Sequence, residues 1–130
     1  MVYVHKKHFT LAEARTMLAA VKPLAEELVT LKKKLDERGF DIYRHQYFGG
    51  TGPNGDRFFP AELERLVEVL KELEATGVLV KGIGEGLVDF PCVRSNGEEV
   101  YLCFKADEER IEYWHSLEGG FAGRQPIENL

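Results

Sequence analysis

"GLVDFPCVRSNGEEVYLCFK", residues 86 to 105, places two runs rich in β-branched and aromatic residues and cysteine on either side of Ser95-Asn96-Gly97-Glu98. Asn-Gly tolerates positive φ at both central positions of a two-residue type I′ turn, so the stretch predicts a β-hairpin. With Ser95 and Glu98 closing that turn, Val93 pairs with Val100, Pro91 with Leu102 and Asp89 with Phe104 on one face. Phe90, Cys92, Tyr101 and Cys103 then take the other. Both faces are largely apolar, which predicts a sheet covered by helices on one side and by a loop or a second subunit on the other. Pro91 has no amide to give to a ladder and predicts an edge strand or a bulge.

Outward from the hairpin, "VLVKG" (78–82) and "IEYWHS" (111–116) read as further strands, giving an antiparallel meander of three to four strands over about 78–116. Asp107 offers a cap for a short helix there, but the aromatic and β-branched content of 111–116 favours a strand. Before the meander the apolar period is helical. Thr10 and Glu13 form a capping box, and Leu11, Ala14, Leu18, Val21, Ala25 and Leu28 make a stripe widened by Met17, Leu24 and Leu31. A helix over about 10–38 follows, kinked or broken near Pro23, whose ring removes an amide and crowds the Ala19 carbonyl. A second helix, about 60–76, carries Leu63, Leu66, Val67, Leu70 and Leu73 and stops at Gly77.

The predicted fold is therefore α+β: one domain spanning residues 1–130, with an N-terminal antiparallel helical hairpin packed on the small meander. The lysine-rich end of the first helix would lie near Glu62, Glu64 and Glu68. Residues 40–59 are an irregular loop and 117–130 a C-terminal tail. In the loop, "GGTGPNG" (49–55) lacks the Lys-Ser/Thr of a phosphate-binding loop and reads as a turn-rich connection.

Composition narrows the function classes. A formal charge of −5 over 130 residues argues against nucleic acid as a partner. The apolar runs are far short of the ~18 residues that cross a bilayer, so a soluble cytoplasmic protein is expected, with no membrane partner. Cys92 and Cys103 are too few for a disulfide framework and read as small core residues. His5 and His8 read as a polar lead-in to the first helix, and His45 as solvated.

Asp89 stands out as a carboxylate inside an apolar strand, where burial without a partner costs several kcal/mol. Arg124 is the candidate donor, because its guanidinium meets a carboxylate through two parallel hydrogen bonds. In that structural reading the pair pins the tail, with Trp114 and Phe121 as hydrophobic anchors. In the functional alternative, Asp89, His115 and Glu118 ligate a divalent metal, or His115 acts as a general base. Arg124 and the 40–59 loop, the latter as a lid, would complete that ligand site.

The order of "FTLAEA" (9–14), "GVLVKGIGEGLVDFP" (77–91), "EVYLCF" (99–104) and "YWHSLEGGFAGRQP" (113–126) resembles the bacterial and archaeal family of unknown function numbered 2203 (DUF2203). The likeness covers nearly the whole chain except the 40–59 loop. It implies that the C-terminal motif belongs to a common framework and that the loop is a variable insertion, and it implies no catalytic assignment. The family's usual "YLCW" stands here as Tyr101-Leu102-Cys103-Phe104. The sequence thus favours a self-associating structural or interaction module, a homodimer, with no cofactor. The alternative is a small-ligand- or metal-binding protein or enzyme built around Asp89, His115, Glu118 and Arg124.

Overall fold

Thr10 starts the first helix as expected. Its hydroxyl accepts from the Glu13 amide (3.0 Å), and the Glu13 carboxylate accepts from the Thr10 amide (2.8 Å). The computed structural model describes residues 2–52 and 59–130. Helix α1 spans Leu11–Glu37 and helix α2 spans Ala61–Thr76, ended by Gly77 at φ 98°.

Of the kink or break expected at Pro23, the break is absent: α1 runs through it as one helix. Pro23 and Ala19 both lie on the exposed side, so the carbonyl that loses its donor faces solvent rather than the core. Val21, Ala25 and Leu28 are fully buried around it and hold the helix in place. On α2 the buried stripe is Leu63, Leu66, Val69 and Leu73, whereas Val67, expected in the stripe, is 37% exposed. The helices pack antiparallel. Arg38 near the end of α1 meets Glu62 at the start of α2 (3.3 Å), and Glu27 takes two bonds from Arg65 (2.5 and 2.8 Å). The basic end of α1 thus lies at the acidic start of α2, as expected, with Arg38 making the ion pair.

The sheet has five antiparallel strands in the order β3-β4-β5-β6-β7: Leu79–Gly82, Leu87–Val93, Glu99–Lys105, Tyr113–Ser116 and Gln125–Pro126. The last, drawn from the tail, takes the count past the three to four expected. Strands β1 (Phe40–Asp41) and β2 (Gln46–Tyr47) form a separate ribbon within the stretch expected to be irregular. Phe40 is fully buried there, edge-on to Tyr47 at 5.2 Å, and both join the core shared with the helices. Phe58 and "GGTGPNG" from residue 53 onward lie outside the described residues.

The hairpin register differs from the expected one by a single residue. The turn holds three residues, Ser95-Asn96-Gly97. The Gly97 amide donates to the Arg94 carbonyl (2.8 Å), the Arg94 amide donates to the Glu98 carbonyl (2.8 Å), and Gly97 sits at φ 90°. This is a type I turn closed by a left-handed glycine, the other common hairpin solution for such a sequence. It pairs Asp89 with Cys103, Pro91 with Tyr101 and Cys92 with Val100.

A slip of one moves one strand's side chains to the opposite face relative to its partner. The inner face is therefore Val88, Phe90, Cys92, Val100, Leu102, Phe104 and Trp114, all in the core with the helices. Asp89, Tyr101, Cys103, Tyr113 and His115 share the outer face.

Strand β4 is interior, not an edge, yet Pro91 breaks no ladder. Its carbonyl accepts from the Phe9 amide (2.7 Å) beyond the end of β3, and amide and carbonyl of one extended residue point the same way. The missing amide thus points away from β5. No helix among the described residues is long and apolar enough to cross a membrane.

Candidate functional site

Three adjacent strands each place one metal-ligating side chain on the outer face: Asp89 from β4, Cys103 from β5 and His115 from β6. Asp89 and Cys103 are direct cross-strand partners, and His115, opposite Tyr101, is diagonal to Cys103. One ligand atom from each lies within 4.8 Å of the others. The residues are 1%, 0% and 2% exposed, in that order, so their polar atoms must be satisfied within the protein.

His115 Nδ1 lies 2.7 Å from the Ser116 carbonyl oxygen, which only accepts, so that nitrogen carries a proton. Nε2 is then directed at the Asp89 carboxylate, 3.1 Å from each oxygen. In the neutral imidazole this sets a lone pair against a carboxylate, an arrangement that needs a proton or a cation between them. Burial disfavours the imidazolium and Lys81 opposes it, but the hydrogen bonds to Asp89 and Ser116 and the Asp89 charge outweigh both and raise the His115 pKa.

Cys103 is pushed up to about 12, first by burial and then by the Asp89 charge. Its thiol keeps its proton, and both imidazole nitrogens are engaged elsewhere, so the thiol is not poised as a nucleophile.

The sequence anticipated two of these three residues. Glu118 is exposed in the turn after β6 and stands outside the cluster. Cys103 takes its place, and Cys92, the other cysteine, faces the core as expected. Arg124 does not pair with Asp89. Its Nη2 donates to both oxygens of Glu108 (2.8 and 2.7 Å), and its guanidinium lies 4.0 Å from the centre of the Tyr113 ring and 4.7 Å from that of Phe121. The donor that Asp89 required is the imidazole. Trp114 is buried as an anchor should be, whereas Phe121 is 47% exposed.

Two segments of the chain lie on the outer face. At one end the Glu99 carboxylate accepts from the amides of Val4 (2.8 Å) and His5 (3.0 Å) and meets His8 Nε2 (2.7 Å). His5 Nε2 meets the Tyr101 hydroxyl (2.6 Å), and the Tyr101 ring lies 5.4 Å from that of His115. The two histidines are thus separate fasteners rather than a mere polar lead-in. At the other end, residues 117–124 bring Arg124 over Tyr113, the partner of Cys103 on β6. The described part of the 40–59 loop packs elsewhere: Phe48 donates to Gly39, and Tyr43 lies under Lys32 (5.9 Å) at the far end of α1. Its expected role as a lid finds no contact with the site among the described residues.

A family model described as "Uncharacterized conserved protein (DUF2203)" matches residues 7–127. No curated protein and no solved structure matches the chain.

Proposed function

Because the chain belongs to the DUF2203 family of uncharacterized conserved proteins, whose description carries no activity, we propose a function from the site alone: the protein binds a divalent metal ion of the zinc class through Asp89, Cys103 and His115. The observation that carries this is the convergence of a carboxylate, a thiol and an imidazole nitrogen, buried together with one ligand atom of each within 4.8 Å of the others. Mixed oxygen, sulfur and nitrogen donors suit borderline ions such as zinc. The Nδ1 bond to the Ser116 carbonyl is the outer-shell contact that fixes a metal-binding tautomer. With three protein ligands, the ion keeps one position for water or a small ligand.

Metal has to displace the Cys103 proton and any proton shared between His115 and Asp89, so binding releases protons and tightens as pH rises. Zinc titrated against a competing chelator is expected to bind at one equivalent with proton release, and Cys103→Ala to weaken it by about 100-fold or more. Wild-type protein that takes up no zinc, or a Cys103→Ala protein that binds as tightly, would remove the proposal.

Self-association through the outer sheet face finds less support, because that face carries the polar cluster, with residues 3–8 and Arg124 of the same chain lying on it.

A further inference from the structure

A site whose three ligands are at most 2% exposed needs a way in. The two covering segments are fastened very differently. Residues 3–8 are held by three contacts to Glu99, by Tyr3 to the Gly97 carbonyl and by His5 to Tyr101, and they run into the buried Phe9.

Residues 117–124, which join β6 to β7, bury little: Glu118, Gly119, Phe121 and Ala122 are all exposed. Their backbone bonds are local, from Gly119 to Ser116, from Gly123 to Gly120 and from Arg124 to Phe121. Gly120 adopts φ 60° and ψ −167°, a backbone region open essentially to glycine alone, so the segment has a hinge beside its start. Beyond the Lys105 ammonium over the Phe121 ring (5.7 Å), its firm side-chain tie among the described residues is Arg124. Glu108 is fixed in turn, because its Oε1 also accepts from the Lys105 amide (2.8 Å).

We infer that residues 117–124 are a hinged flap over the Asp89–Cys103–His115 site and that the Arg124–Glu108 pair is its latch. Few buried contacts and a single charge-assisted tie are the marks of a segment that opens locally, without unfolding of the sheet. Opening lifts the guanidinium from Tyr113 and uncovers Cys103 beside it, while Cys92, on the inner face, stays sealed by the helices. The inference rests on the site proposed above, but its test uses metal-free protein, so absence of zinc binding and absence of a flap are separate results.

The two cysteines supply the test, since they sit on opposite faces of one sheet. In Cys92→Ala and Cys103→Ala backgrounds, each retaining one thiol, the rate of reaction with dithionitrobenzoate is measured with and without Glu108→Gln. The expected result is a rise of about tenfold at Cys103 with no change at Cys92. Arg124→Lys, which keeps the charge but loses the planar stack and fork, should give a smaller rise in the same direction. Equal acceleration at both cysteines would mean opening of the whole chain and would overturn the flap. So would an unchanged Cys103 rate, or acceleration by Glu99→Gln alone, which would make the N-terminal segment the gate.

Discussion

His115→Ala in the metal-free protein is expected to lower stability by about 3–5 kcal/mol, because it leaves a buried carboxylate without its partner. Asp89 is 1% exposed, and His115 is its hydrogen-bond partner. A cavity alone would cost something, so the informative comparison is the double variant Asp89→Asn, His115→Gln. With the charge gone and hydrogen-bonding groups retained, it should recover more than half of the loss in chemical denaturation.

The loss should also depend on pH. The folded-state pKa of His115 is raised above its ordinary value. Its contribution is then fully present below about pH 6.5, the unfolded value, and is lost as pH rises through the folded one. The gap between wild type and His115→Ala should accordingly narrow from mildly acidic to alkaline solution. A gap that widened would place the stabilising proton elsewhere.

Gly86→Ala is the second large effect. Gly86 sits at φ 63° where the sheet meets α1. A Cβ there would lie 2.6 Å from Ala106 Cβ, 2.7 Å from the Ala25 carbonyl oxygen and 3.0 Å from Val29 Cγ2. The left-handed conformation costs about 1–2 kcal/mol for a residue with a side chain. Overpacking against backbone adds about 1–3 kcal/mol, because neither the helix carbonyl nor the strand can yield alone. A loss of about 2–5 kcal/mol by thermal or chemical unfolding follows from the two together. Gly97→Ala is the control: it too has positive φ but has nothing within 4 Å of its Cβ, so it should cost only the backbone part. Equal losses at the two positions would show that contact with α1 does not matter.

Much of the fold was legible because its elements are periodic and well punctuated. Thr10 and Glu13 announce the start of α1, Gly77 the end of α2, and the aromatic run at 113–116 its strand. At Pro23 the helix is not broken, because an exposed proline leaves its orphan carbonyl to water.

At the site, Asp89 betrayed itself as a charge in an apolar strand, and His115 by residue type. Cys103 did not, since its face depends on whether Asn96-Gly97 closes a two- or a three-residue turn, and a count of one decides which side chains meet. Arg124 was assigned the wrong carboxylate for a related reason. Glu108 lies in the turn between β5 and β6, and no sequence period says which way such a side chain faces.

The central claim, that Asp89, Cys103 and His115 hold one ion together, is most directly tested by X-ray absorption at the zinc edge of protein loaded with one equivalent. One sulfur at about 2.3 Å and nitrogen or oxygen ligands at about 2.0–2.2 Å are predicted, with the sulfur shell lost in Cys103→Ala. A first shell of nitrogen and oxygen alone, or a sulfur shell that survives Cys103→Ala, would contradict it.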